Sequence, residues 1–240
     1  MGVPEIGCPC EVCQSESPYD KRLRASVLVE VGETSILIDA GPDVRQQVLR
    51  ENIVRIDALL LTHEHYDHVG GIDDLRLFTR QKPLPVFGMK RVLNTLHKTI
   101  PYVFSDEKYP GIPELSLSEV GNSPFSINGI EVVPVEILHY KLTILGFRIG
   151  KFAYLTDVKT IPEKEFDKLK DLDVLVLSTL RKYPHISHQS LDEALCNIAK
   201  MAPRETYLTH FNHEIGLHLE VEKELPAHIH LAYDGLTITL

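Results

Sequence analysis

Long apolar runs are missing from this sequence. None approaches the roughly 20 residues that a bilayer-spanning helix needs, so no membrane span is expected. The N-terminus, MGVPEIGCPC, has no charged stretch followed by an apolar one, so it does not read as a secretory signal. Ile6 stands where a myristoylation motif requires Ser or Thr. Positive charge is also scarce. Twenty-five Lys and Arg face 34 Asp and Glu, a net charge of −9. That argues against a chain that coats nucleic acid or an anionic membrane, and it leaves open a small phosphorylated substrate held by metal ions. There is no linker, low-complexity tract or repeat. With 240 residues, 43% of them hydrophobic, the chain is expected to form a single domain over 1–240. The expected compartment is the cytoplasm.

Cysteine is sparse outside one place. Three of the four cysteines lie in GCPCEVC, residues 7–13. In a reducing compartment, clustered cysteines are more often metal ligands or redox groups than structural disulfides.

The pattern of apolar residues is that of a mixed α/β chain. ASVLVEV (25–31) and SILIDAG (35–41) read as a hairpin about a Gly-Glu turn. IDALLLT (56–62) reads as a strand buried on both faces. Asp43–Glu51 is a short helix, DHVGGIDDLRLF from Asp67 a helix start, LPVFG (84–88) a strand and MKRVLNTLHKT (89–99) a helix. The Pro- and Gly-rich stretch from Tyr102 to Ser123 reads as a long loop of the kind found at active sites. Asn128-Gly129 marks a hairpin in FSINGIEVVPVEIL, and LTILGFRIG with KFAYLTD forms another strand pair. PEKEFDKLK reads as a helix with Pro in its first turn, DVLVLS as a strand, SLDEALCNIAKM as a helix and ETYLTH as a strand. A last strand pair is expected about Asp234-Gly235. Strands in pairs with helices between them imply two mixed sheets face to face with helices outside.

The segment T-H-E-H-Y-D-H, residues 62–68, carries the most chemistry. It follows a buried strand. His63 and His65, two apart in extended chain, point the same way and can reach one metal. Asp67 and His68, at a helix start, can address a second. Imidazole with carboxylate suits zinc, manganese or iron. Single candidates follow other strands: His139 after IEVVPVEIL, Asp157 after FAYLT and His210 after TYLT.

H-x-H-x-D-H at 63–68 with His139, Asp157 and His210 resembles the metallo-β-lactamase superfamily. The resemblance implies an αββα sandwich, two mixed β-sheets flanked by helices, with two divalent catalytic metals, Mn2+ or Zn2+. It assigns His63, His65 and His139 to one ion, Asp67, His68 and His210 to the other, and Asp157 to both. Asp39, in LIDAG, matches an acidic residue that supports the ligands without being one.

Cys8, Cys10 and Cys13 can wrap three thiolates around one ion, and structural zinc takes four ligands. Cys196, in the helix SLDEALCNIAKM, is expected to be a buried apolar thiol. His213 in LTHFNHE, three residues beyond His210, is the expected fourth ligand. GVPEIGCPCEVC, KRLRASVLVE and LTHFNH together resemble the PhnP-like phosphodiesterase branch, which carries such a structural zinc. Members of that branch usually open with a strand and a Gly-rich turn ahead of G-V-P, whereas G-V-P here follows Met1 directly.

The implied reaction is hydrolysis of a small phosphodiester, cyclic ribosyl or nucleotide, by a hydroxide held between two metals. His188, in PHISHQSLDEA, matches a phosphate-contacting position of the branch and is the candidate to assist the leaving group, alongside catalytic Asp67 and Asp157. His185 reads as a solvent-exposed loop residue, and His97, His218, His228 and His230 as surface or partly packed. A glyoxalase-type thioesterase, an RNA-processing nuclease and a non-catalytic metal-binding protein are the competing readings. Nucleic acid and membrane are not expected partners; the oligomeric state is not legible in the sequence, a homodimer being the commonest assembly.

Overall fold

The computed structural model describes residues 2–107 and 110–240. Its contacts divide the chain into two compact units: Arg24–Ile130, and Met1–Leu23 together with Glu131–Leu240. The chain opens in the second of these with helix α1 (Glu11–Gln14), a single turn capped by the Cys10 side chain.

In the unit 24–130, β1 (Val27–Val31) and β2 (Thr34–Ile38) form the expected hairpin, with Gly32 at φ 58° in its turn. Helix α2 (Val44–Arg50) leads to β3 (Ala58–Leu60), and α3 (Tyr66–Val69) is followed by β4 (Leu84–Gly88), α4 (Lys90–Thr99), β5 (Leu115–Glu119) and β6 (Phe125–Ile127). The sheet order is β1-β2-β3-β4-β5, with β1 antiparallel and the remaining pairs parallel. Every residue of β2 and β3 is buried, as a sheet covered on both faces requires. Leu59, Leu61, Val86, Val92 and Leu96 lie in one core cluster, each such side chain stabilising the unit by roughly 1.5–3 kcal/mol.

The helix start expected at Asp67 forms, but the helix does not run on. Instead α3 is one turn beginning at Tyr66, and a 3₁₀ helix spans Ile72–Thr79. Gly70 and Gly71 break it. A Cβ on Gly71 would lie 2.1 Å from the Gly41 carbonyl oxygen. The Ala40 amide donates to His68 O and the Gly71 amide to Ala40 O. The glycine pair lets the motif lie against the loop after β2. Within the 102–123 stretch, a 3₁₀ turn covers Pro101–Phe104 and β5 its later part; Lys108 and Tyr109 lie outside the described residues.

In the other unit, β7 (Ile130–His139), which begins after an Asn128-Gly129 turn at φ 50° and 82°, runs into β8 (Leu142–Ile149) and β9 (Phe152–Leu155). Then come β10 (Val174–Ser178), α5 (Leu191–Met201), β11 (Glu205–Thr209), α6 (His218–Glu224) and β12 (Ile229–Leu231). Strands β7, β8 and β9 pair antiparallel; β9, β10, β11 and β12 pair parallel. PEKEFDKLK is a 3₁₀ helix, Glu163–Leu169, not an α-helix. Helix α5 opens on a capping box between Ser190 and Glu193 and buries Leu191, Ala194, Ile198 and Met201. Cys196 is on its opposite face and is exposed, which corrects the expectation of a buried thiol. His218, expected to be a surface or partly packed residue, is buried and stacked on Tyr19. The last strand pair is also absent: β12 forms, but 232–240 joins no ladder. Asp234 accepts the Leu23 amide instead of turning a hairpin.

No helix among the described residues is long and apolar enough to cross a membrane.

Candidate metal-binding sites

In the unit 24–130, Asp39 organises the histidine motif. It follows β2 in the left-handed region, φ 62°, and is fully buried. Its Oδ1 accepts the Thr62 amide at 2.9 Å, and its Oδ2 accepts the Thr62 hydroxyl at 2.8 Å. His68 Nδ1 is 2.7 Å from the same Oδ2, and His63 Nδ1 is 3.0 Å from Thr62 Oγ1. The single Thr62 hydroxyl proton goes to the carboxylate, so its oxygen receives the Nδ1–H of His63. His68 donates its Nδ1–H to the carboxylate directly. Both imidazoles are thereby set with the lone pair on Nε2, the form that ligates a metal. The His63 ring lies 4.5 Å from that of His65 and 4.2 Å from that of His68, centroid to centroid. Asp67 Oδ2 is 3.7 Å from His68 Nε2. Two electron-pair donors this close suit a cation between them. Glu64, within the motif, is held by Arg91 at 2.7 Å and its carboxyl titrates below the usual range; burial opposes this, and the Arg91 hydrogen bond and charge outweigh it.

In the other unit, His139, Asp157, His188 and His210 converge. His139 donates from Nδ1 to the Ser187 carbonyl at 2.9 Å, which again leaves Nε2 as the donor to a metal. Asp157 Oδ1 lies 3.1 Å from His210 Nε2 and 3.3 Å from His188 Nδ1. His188 is ringed by imidazoles, with centroids 4.6 Å from His139 and 5.4 Å from His210. His139, Asp157 and His188 each present a ligand atom within 4.8 Å of the others. His188 therefore sits among the predicted ligands themselves. Burial pushes its pKa down to about 3, with Asp157 opposing the shift and the neighbouring histidines adding to it. Asp157 and His210, like Asp39, have positive φ, 53° and 56°. Non-glycine residues held there cluster where function fixes the backbone.

The thiol group also lies wholly in this unit. Cys8, Cys10, Cys13 and His213 offer four ligand atoms, all within 4.8 Å of one another. Cys8 Sγ and Cys10 Sγ are 3.3 and 3.2 Å from His213 Nδ1. Zinc bonds of about 2.3 Å to sulfur and 2.0 Å to nitrogen in a tetrahedron separate the two ligands by roughly 3.5 Å, so the set fits that ion. Glu5 Oε2 accepts the Nε2–H of His213 at 2.9 Å, which turns the Nδ1 lone pair toward the thiols. The Cys13 amide and His213 draw the Cys10 thiol down to about 6, and burial pushes the Cys13 thiol up to about 11. Val3, Val12 and Cys13 form a small apolar cluster beneath the site.

Thr62, Ser187 and Glu5 escape sequence reasoning. Each acts by one hydrogen bond to a histidine far away or adjacent, and such a partner leaves no spacing pattern.

A model of the beta-lactamase superfamily domain matches residues 34–211. An octanoyltransferase of Porphyromonas gingivalis is 45% identical over 239 residues, covering 98% of this chain and 48% of that protein. A ribonuclease Z of Nanoarchaeum equitans is 30% identical over 162 residues, 62% of this chain and 51% of that protein. The chain thus spans about half the length of each of these relatives. Among solved structures, a diphosphatase from the PhnP family has a TM-score of 0.92 and 38% identity, covering 98% of this chain and 91% of that one. Zn2+-bound PqqB from Methylobacterium extorquens shares the fold, with a TM-score of 0.79 at 19% identity over 100% of this chain and 96% of that one. The chain belongs to the metallo-β-lactamase superfamily and has its fold of two mixed sheets flanked by helices.

Proposed function

We propose that the chain is a two-metal hydrolase of a small phosphodiester or diphosphate. The observation that carries this reading is a pair of donor groups whose histidines are turned by hydrogen bonds so that Nε2 is the ligating nitrogen. Asp39 sets His63 and His68 in one unit; Ser187 sets His139 beside Asp157 and His210 in the other. Similarity to a PhnP-family diphosphatase supports phosphorus as the centre attacked. Each donor group suits a divalent ion, manganese or zinc, and Cys8, Cys10, Cys13 and His213 suit one structural zinc. When bound, the two ions supply an activated water and neutralise charge on the phosphoryl oxygens. Asp157 lies against His188 and His210 and orients both rings. His188, with Nδ1 3.3 Å from Asp157, is the candidate to assist the leaving group. Asp67 adds carboxylate charge beside His68.

A second reading, hydrolysis of an acyl thioester, is favoured only by the octanoyltransferase relative, whose further half this chain does not match. The net charge of −9 argues against a nucleic-acid partner.

The test is an assay panel on metal-loaded protein with bis(p-nitrophenyl) phosphate, a nucleoside diphosphate sugar, an octanoyl thioester and a lactam. Turnover of a phosphoryl substrate, lost in Asp157→Asn with the fold retained, is expected. Turnover of the thioester alone would replace this reading with the second.

A further inference from the structure

An open pocket of about 280 Å³ shares no lining residue with the candidate metal sites. Four stretches of chain build it, all within the unit formed by 1–23 and 131–240. Parallel pairing of β11 with β12 sets Tyr207 opposite His230, ring centroids 5.3 Å apart. Helix α6 opens with His218 and Leu219, and Glu222 follows on the same side, four and three residues on. The His218 amide donates to Asp20 Oδ1 at 2.8 Å. That bond pins the 3₁₀ turn Pro18–Asp20 to the helix and lays Tyr19 on the His218 ring, centroids 5.0 Å apart. The Leu23 amide donates to Asp234, which fixes the neighbouring Tyr233. Its ring meets that of Tyr19 edge to face, 4.8 Å apart and at 84°. Tyr19, Tyr233 and Leu219 are all exposed although their backbone is tied down. Apolar side chains gathered at one exposed place mark a contact site.

The charge around the pocket has one sign. His230 lies between two carboxylates, with Nδ1 2.8 Å from Glu222 and Nε2 3.3 Å from Glu205. Two carboxylates about one imidazole leave net negative charge even with that ring protonated. Tyr207 registers this: burial, then Glu205 and Glu222, push its hydroxyl pKa up. Burial and the charge of Arg22 push the His218 pKa down, with Glu222 and Asp20 opposing, so His218 brings no positive charge at neutral pH. Arg22 itself lies over the Phe211 ring and beside Asp20, and no lysine or arginine lines the pocket among the described residues. An anionic ligand would meet Glu222 and find no partner. A bare metal ion would gain nothing from the walls of Leu219, Leu231 and Leu236. Tyrosine faces with carboxylates behind them favour a cation whose shell is apolar.

We propose that Tyr19, Tyr207 and Tyr233, backed by Glu222, form an aromatic cage for a methylated ammonium group. The cage is independent of the phosphoryl-hydrolase reading and uses none of its residues. A trialkylammonium head presents methyl groups to the rings and leucines while its charge is drawn by the ring faces and by Glu222.

The metal-loaded protein is titrated at low salt, by calorimetry and by NMR of its tyrosine rings, with three probes. These are choline, its uncharged isostere 3,3-dimethylbutan-1-ol, and a short peptide bearing trimethyl-lysine. Choline should bind roughly ten-fold tighter than the alcohol, with the Tyr19 and Tyr233 resonances shifting. A peptide that binds tighter than choline identifies a protein source for the group; the opposite order identifies a free small molecule; both support the cage. Tyr233→Leu keeps apolar bulk and removes a ring face, so the gap between choline and alcohol should close, with melting temperature and phosphodiester turnover unchanged. Glu222→Gln keeps the shape and removes the charge, and should weaken choline while sparing the alcohol. Equal binding of choline and alcohol, binding of neither ammonium probe, shifts confined to other tyrosines, or a gap that survives both variants would each overturn the cage.

Discussion

His68 and Asp39 share a 2.7 Å hydrogen bond between side chains only 1% and 0% exposed. The same carboxylate takes both Thr62 protons, so one buried acid sets two histidines. Asp39→Asn keeps the shape and tolerates the positive φ, but removes the charge. Metal affinity and turnover should fall by about 10- to 100-fold, with an unchanged circular dichroism spectrum. Unchanged metal content by mass spectrometry would refute the organising role.

Cys10→Ser and His213→Ala should each remove one zinc per chain and lower the melting temperature, because a structural ion contributes folding free energy directly. The protein that remains folded should still turn over substrate. Equal zinc stoichiometry and equal melting temperature in both variants would disprove the site.

His188→Ala should spare substrates with a good leaving group, such as p-nitrophenol, and slow an alkyl phosphodiester by roughly 10²- to 10⁴-fold, the range of a lost proton-transfer partner. The comparison is a plot of rate against leaving-group pKa. An identical slope in wild type and variant would remove His188 from the leaving-group step.

Asp57 binds the Ser35 amide at 3.0 Å and Arg55 Nε at 2.8 Å. Burial alone would raise its pKa; the Ser35 hydrogen bond and Arg55 outweigh it, and the folded value lies below 3.8. A depressed carboxyl stabilises the fold above its unfolded pKa, and that contribution is lost as pH falls through the folded value. Asp57→Asn should therefore cost stability at neutral pH and flatten the decline below about pH 4. Denaturant titrations from pH 2 to 7 would show it, and parallel curves for the two proteins would reject it.

The sequence is most legible where one residue type repeats at short range. T-H-E-H-Y-D-H and C-P-C-E-V-C stand out because histidine, aspartate or cysteine two or three residues apart can address one ion. Strands such as β2 and β10 can be read because burial on both faces leaves an uninterrupted apolar run. The break at Gly70-Gly71 cannot, since its cause is the Gly41 backbone 30 residues away. Cys196 misleads because a helix of period 3.6 puts it opposite Ala194 and Ile198, and its apolar neighbours in sequence are not its neighbours in space. The left-handed turns at Asp39, Asp157 and His210 were available as a hint, in that each polar residue ends an apolar strand, but φ itself is not written in composition.

Cys10 and His213 are 203 residues apart in the chain. At ribosomal rates of about 5–20 residues per second, the three thiols emerge roughly 10–40 s before the imidazole that completes their set. Through that interval the nascent chain presents an unfinished chelator. The unit to which it belongs cannot close until its second segment, beginning at Glu131, has been made. On the proposed zinc reading, the supply of zinc and of reductant matters most during that interval of synthesis.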